Sequence, residues 1–134
     1  MNFHLPHHGF SFEIHDAWLK AASAVGVVLE REWFHASFHP HPVTLVRTAH
    51  VIAPVRAGGA IWFDEPRMVE ILHKIVHGHS LPPLIAEELP EPNPYRYRIH
   101  SGFHRFYASA ALGLAFVPVS FTPLTMELQS SFHF

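Results

Sequence analysis

One stretch of the chain, from Ser101 to Gly113, constrains the fold more than any other, because it combines a turn, a helix start and a basic pair. Gly102 allows a sharp turn and a close approach of the backbone to a ligand. The hydroxyl of Ser101 is predicted to cap the helix by accepting from a first-turn amide, and Gly113 is predicted to end it. The pair His104-Arg105 then lies in the first helical turn.

A helix start of this kind favours an anion. Its first amides have no partner within the helix, and they lie at the positive end of the helix dipole. Arg105 beside them favours phosphate, because a guanidinium can grip phosphate oxygens with two hydrogen bonds. An ordinary capped helix with a solvated arginine explains the same residues and stays open.

Composition restricts the class of protein. The 134 residues are 49% hydrophobic, which suits one domain with a buried core, and no stretch approaches the roughly 18 apolar residues of a membrane span. The absence of cysteine excludes disulfides, thiolate metal sites and cysteine catalysis. A net charge of -2 argues against a general electrostatic grip on nucleic acid, although a local patch stays open. The first residues lack a secretory signal pattern, so we expect a cytoplasmic protein without a membrane partner.

The first half of the chain predicts strands at residues 10–14 and 43–52 around one helix. Asp16 is expected to cap that helix, which would direct Trp18, Leu19, Ala22 and Val25 inward. Beta-branched residues dominate the second strand, and the loop that leaves it carries Arg56.

The clearest element is a helix that begins at Asp64-Glu65-Pro66 and ends at Gly78. The expected buried face consists of Met68, Ile71, Leu72, Ile75 and Val76, and the expected exposed face of Arg67, Glu70, His73, Lys74 and His77. Short strands are predicted at 84–86, 95–99 and 116–121, with a stiff proline-rich loop at 88–94.

From about Val51 to Val119 the chain resembles the ParB/sulfiredoxin superfamily in four ordered motifs. They are Ile52-Ala53-Pro54-Val55-Arg56, then Phe63-Asp64-Glu65-Pro66-Arg67, then Gly78-x-x-x-Pro82-Pro83, and last Gly102-x-His104-Arg105-(x)2-Ala108-(x)4-Gly113 with Pro118 following. The resemblance covers about half of the chain and omits the first fifty residues.

The resemblance implies a small α+β fold, with a mixed sheet and flanking helices, over residues 43–134. Residues 1–42 are then an N-terminal extension packed on the core. A nucleotide-phosphate site is implied at Gly102, Phe103, His104 and Arg105, with Arg67 as a further nucleotide contact and ATP, ADP or CTP as ligands. His104 is suited to donate a proton or a hydrogen bond to phosphate.

The chain also departs from the family. Phe103 stands where sulfiredoxins carry their catalytic cysteine, so reduction of a sulfinic acid by that route is excluded. His104-Arg105 replaces the two arginines of ParB, which weakens the case for triphosphate, and Ser101 replaces a common acidic residue. ParB proteins add a helix-turn-helix domain and a further acidic helix for the metal, and we expect neither within these 134 residues.

Asp64 and Glu65 are the acids best placed for chemistry, because the resemblance directs that helix start toward the same cleft as Arg105. A carboxylate there suits Mg2+ or a substrate hydroxyl proton in phosphoryl transfer. Alternatively, one acid caps the helix and the other is solvated. Arg56 and Arg67 either complete a positive cleft or cover apolar surface.

The 14 histidines suggest metal sites, but no pair has a clear third ligand. His73 and His77 have the spacing of two zinc ligands on one helix face, and an ordinary exposed pair is the alternative. The other pairs are His7-His8 and His39-x-His41. Trp62 and Phe103 are candidates for stacking on a nucleotide base, or else core residues.

Two functions remain. The first is a module that binds a nucleotide or phosphorylated small molecule through the Gly102-Phe103-His104-Arg105 helix start. The second is a metal-dependent phosphoryl-transfer enzyme or nuclease, which would use Asp64, Glu65 and His104. The lack of a strong acidic motif favours binding, and nothing in the sequence independently supports a nuclease.

Overall fold

The computed structural model describes residues 1–5, 7–30, 40–90 and 95–121. In these ranges three helices and seven strands form an α+β fold with a small mixed sheet, which confirms the predicted class. The helices are α1 (Asp16–Ala21), α2 (Glu65–Val76) and α3 (Phe103–Ala111). None of the helices in the described ranges has the length and apolar character needed to cross a membrane.

The strands form a hairpin and a larger sheet. The hairpin pairs β1 (Asn2–Leu5) with β2 (Phe10–Glu13). The described part of the larger sheet has the order β3-β7-β5-β6-β4, in which only the β5–β7 and β6–β4 pairs are parallel. Its strands are β3 (Val43–Arg47), β4 (Val51–Ile52), β5 (Leu84–Glu88), β6 (Tyr97–Ser101) and β7 (Phe116–Ser120).

The prediction of a single strand at residues 43–52 is wrong. A 3-10 turn at Thr48–His50 divides it, and the two halves lie at opposite edges of the described sheet. Thr48 causes the break, because its amide donates to Ala115 O at 2.8 Å and its hydroxyl donates to Leu114 O at 3.0 Å. These bonds tie the chain to the segment before β7 and end its strand pairing.

The described part of residues 1–42 shares the main hydrophobic core. Phe12, Ile14 and Leu19 are buried in one cluster with residues of α2, α3 and the sheet, and the Phe12 ring lies 4.9 Å from that of Tyr107. The division of the chain at residue 42 stays a prediction.

The prediction for α1 needs two corrections. His15 occupies the N-cap, and Asp16 is the first helical residue, where its carboxylate accepts from the N-terminal amine at 2.8 Å. This hydrogen bond and charge lower the pKa of Asp16. The helix also ends too early to carry Val25, which is 55% exposed.

Helix α2 agrees well with the sequence. Met68, Ile71, Leu72 and Ile75 are buried, and the Asp64 carboxylate caps the first turn by accepting from Arg67 N at 3.2 Å. Strand β5 continues to Glu88, so the predicted loop begins later, and residues 91–94 of that loop lie outside the described ranges, as does the tail from 122.

Candidate functional site

A cleft of about 800 Å3 opens between the start of α3, the polar side of α2 and the loop before α2. Four of the side chains that line it are cationic and two are carboxylates. The full lining in the described ranges is Arg56, Trp62, Asp64, Arg67, Glu70, Ile71, Lys74, Leu81, Pro82, Ser101, Gly102, Phe103, His104 and Arg105.

The predicted site residues converge on this cleft, with one exception. Arg56, Asp64 and Arg67 line it together with residues 101–105, although they come from three separate parts of the chain. Glu65 does not belong to the described lining, and it lies exposed in the first turn of α2. Of this helix start, the structure brings Asp64 and Arg67, but not Glu65, into the described lining.

The turn into α3 leaves backbone donors available. Gly102 is the N-cap, with a φ of 118° that favours glycine, and no side chain in the described chain caps the helix. The predicted cap, Ser101, is instead the last residue of β6, and its hydroxyl accepts from Arg105 Nη2 at 3.4 Å. The first three amides of α3 lack intrahelical partners, as at any helix start.

Arg105 folds back under the turn. Its Nη1 donates to Pro82 O at 2.5 Å and to Pro83 O at 2.7 Å, which ties α3 to the segment before β5. Burial, with a smaller effect of the Arg67 charge, lowers the pKa of Arg105 to about 10, so the side chain remains charged at neutral pH. Much of the donor capacity of this guanidinium is therefore used inside the protein.

Arg56 is held between two aromatic rings at the wall of the cleft. Its guanidinium carbon lies 3.9 Å from the Trp62 ring centroid and 4.1 Å from that of Phe103, distances typical of cation–π contacts. Its Nε donates to Trp62 O at 2.9 Å. These contacts fix the orientation of the guanidinium without neutralising its charge.

Arg67 is the exposed cation of the site. Its amide is used by the α2 cap, but its guanidinium has no hydrogen-bond or ion-pair partner within the part of the chain that the structure describes. Its charge contributes to lowering the pKa of both His104 and Arg105, which indicates that it acts on the start of α3. Arg67 is thus the arginine with the most donor capacity left for a ligand.

His104 is buried and neutral. Its Nε2 accepts from Asp64 N at 3.0 Å, so this nitrogen carries no proton. Burial lowers the pKa of His104 to about 4, with further lowering by the charges of Arg56 and Arg67 and a partial opposing effect of Asp64. At neutral pH His104 joins the start of α2 to α3, and its Nε2 has no proton to give to a phosphate.

Glu70 and Lys74 also line the cleft, although the sequence pattern predicts them only on the solvent-exposed face of the helix. They form an ion pair of 3.0 Å, and together with Arg67 they bring that face of α2 into the cleft. The spacing 67, 70, 74 is the signal that was available, since residues three and four apart share one side of a helix.

The carboxylates of the cleft already have partners. Asp64 caps α2 and Glu70 binds Lys74, so the alternative in which an acid serves as the helix cap is the arrangement seen for Asp64. In the described ranges no group of three histidines, aspartates or glutamates is arranged to hold a metal ion.

In comparisons with known proteins, no family model matches the chain, and no curated protein matches it. The ParB/sulfiredoxin resemblance therefore stays a prediction that depends on the four motifs. The candidate site is defined by its own geometry, which brings cations, an uncapped helix start and an exposed indole into one cleft.

Proposed function

We propose that this protein binds a phosphorylated small molecule, with a nucleotide as the preferred class, through phosphate in the cleft at the start of α3. The observation that carries the proposal is the guanidinium of Arg67, which has no partner in the described chain and lies in one cleft with the uncapped amides of α3. A cation beside free helix amides is an arrangement suited to phosphate oxygens.

The charge balance of the cleft supports an anionic ligand. Its cations outnumber its carboxylates, whereas the whole chain has a net charge of -2. Burial is the main cause of the lowered pKa of His104, and the charges of Arg56 and Arg67 lower it further, as a positive potential in the cleft would. An anion would gain from this potential most strongly at low salt, where screening is weak.

Two of the arginines have different parts in this proposal. Arg67 would bind the phosphate directly, whereas Arg105 mainly holds the turn through the carbonyls of Pro82 and Pro83. Trp62 is 58% exposed beside Arg56, so its indole is the candidate surface for a nucleotide base. Phe103 is less suitable, because its ring already packs against Phe63 and other rings.

Binding is favoured over metal-dependent phosphoryl transfer, because both carboxylates that line the cleft already have partners within the protein. Asp64 and Glu70 are engaged by a helix amide and by Lys74, which leaves less capacity for a metal or a substrate proton. In the binding proposal Mg2+ arrives with the nucleotide as its counter-ion. Nucleic acid and the nuclease reaction receive no support from the charge of the chain.

The test is a thermal-shift and calorimetry panel of phosphate, pyrophosphate, ATP, ADP and CTP, with and without Mg2+. A ligand at about 100 times its Kd stabilises the folded state by about 2.7 kcal/mol. Arg67→Ala should lose this response, whereas Arg98→Ala, an exposed arginine on β6 outside the described lining, should keep it. Equal responses in the two variants would contradict the proposal, and nucleotide turnover with Mg2+ would replace binding with catalysis.

A further inference from the structure

A second cavity, of about 270 Å3, lies between the turn of the β1–β2 hairpin, the 3-10 turn at Thr48–His50 and the end of α3. It shares no residue with the described lining of the cleft. Among its lining residues Leu5 and Leu114 are buried, whereas Arg47 and His7 are exposed. The cavity therefore has an apolar interior and a mouth of basic side chains.

The wall on the side of Thr48 offers little polar surface to a ligand. The carbonyls of Leu114 and Ala115 already accept the hydroxyl and the amide of Thr48, at 3.0 Å and 2.8 Å. Ala49 and Ala110, which line the same cavity, have small side chains that leave the space open. An apolar group bound here would displace water from this wall without leaving these two carbonyls unpaired.

His8 fixes the hairpin turn at the opposite side of the cavity. Its Nε2 donates to Val51 O at 2.6 Å, and its ring stacks on that of Tyr95 at a centroid distance of 5.1 Å. Its Nδ1 is shielded from solvent and has no hydrogen-bond partner in the described ranges. His8 therefore shapes the cavity, and we do not expect it to contact the charged part of a ligand.

Arg47 gives the mouth an unneutralised positive charge. Its guanidinium carbon lies 5.2 Å from the centroid of the Phe116 ring, and it has no hydrogen-bond or ion-pair partner within the part of the chain that the structure describes. The described lining includes no carboxylate, although acidic residues outnumber lysine and arginine in the whole chain. His4 and His7 add imidazole N–H groups that can donate to an anion.

We propose that this cavity binds a small aromatic carboxylate, with its ring against the apolar wall and its carboxylate at Arg47. An apolar cavity of roughly 150 Å3 is enough to hold benzene, so a cavity of about 270 Å3 has room for a ring and a carboxylate. A guanidinium matches a carboxylate with two parallel hydrogen bonds. A rigid ring is preferred to a flexible chain because it loses less conformational freedom on binding.

Titration of the full chain with benzoate, followed by amide NMR spectra at constant pH and ionic strength, tests the site. Benzoate should shift the signals of residues 47–49 and 113–115 until they saturate. Benzamide, a neutral molecule of nearly the same shape, and acetate, which lacks the ring, should each bind about tenfold more weakly or less. Arg47→Gln should weaken benzoate binding about tenfold. Arg98→Gln, at an exposed arginine outside the described lining, should leave it unchanged.

Each comparison can overturn a different part of the proposal. Equal affinity for benzoate and benzamide would refute the role of the charge at Arg47, and equal affinity for acetate would refute the apolar wall. Both comparisons use the unmodified chain, so neither depends on how well a variant folds. Absence of saturable shifts, or shifts confined to residues 101–105 at the cleft, would overturn the site itself. None of these results depends on phosphate binding in the cleft.

Discussion

Replacing Arg105 by alanine should destabilise the protein, whether or not a ligand is bound. The substitution removes the two short charge-assisted hydrogen bonds to the carbonyls of Pro82 and Pro83, together with the longer one to the Ser101 hydroxyl. Bonds of this kind contribute about 1.5 kcal/mol each at the lower end of their range, or about 3 kcal/mol for the pair. For a domain of this size that corresponds to a fall in Tm of about 10 °C.

Thermal unfolding followed by circular dichroism, without phosphate, measures this loss. Arg67→Ala is the matched control, since it removes a cation from the same cleft but no hydrogen bond of the guanidinium in the described chain, and its Tm should change little. An Arg105→Ala variant that melts within about 2 °C of the wild type would refute the role of Arg105 as a clamp. The arginine would then be available for ligand, as the sequence alone predicts.

Three further substitutions test the turn and its neighbours. Gly102→Ala should cost about 1–3 kcal/mol in urea unfolding, because the φ of 118° disfavours a side chain and the new Cβ would lie 2.9 Å from Leu84 Cγ; an unchanged midpoint would contradict this. Tyr107→Phe should cost about 1 kcal/mol by removing the 2.7 Å bond from its hydroxyl to Pro54 O, measured in the same assay, and a neutral result would mean that water replaces the hydroxyl. His104 titrates near 4 when folded and near 6.5 when unfolded, so its contribution to the unfolding free energy is complete above pH 6.5 and is lost as the pH falls toward 4. His104→Asn should flatten that part of the pH profile, and an unchanged slope would assign it to other groups.

The fold was predictable where the determining contacts are local. Helix α2 follows from its Asp64 cap, its proline and an apolar period of one helical face, all of which lie within the helix or beside it. The break at Thr48 was not predictable, because its partners Leu114 and Ala115 are more than sixty residues away. Strand β4 depends in the same way on pairing with Tyr97.

The candidate site shows the same division. The Gly-x-His-Arg motif predicted the position of the α3 turn, and most of the residues predicted for the site line the cleft. The prediction that Ser101 caps the helix was wrong. Pairing of Ser101 with Ile85 keeps it in β6, and no local pattern contains that register. The motif also predicted Arg105 as a ligand contact. Its hydrogen bonds to the carbonyls of Pro82 and Pro83 could not be predicted, because those residues belong to a segment about twenty residues earlier.

The cations of the cleft are held in place chiefly by neutral groups. Two aromatic rings and a carbonyl fix Arg56, and two carbonyls fix Arg105. Contacts of this kind position a charge without cancelling it, unlike a salt bridge. Burial is the main cause of the lowered pKa of His104 and of Arg105, and the repulsion that remains between the cations lowers both further. A phosphate would relieve that repulsion, so its binding should weaken as salt screens the charges. The clamp made by Arg105 consists of two short hydrogen bonds to neutral carbonyls, one of them partly buried. Its contribution to stability should therefore persist at the salt concentration that abolishes binding.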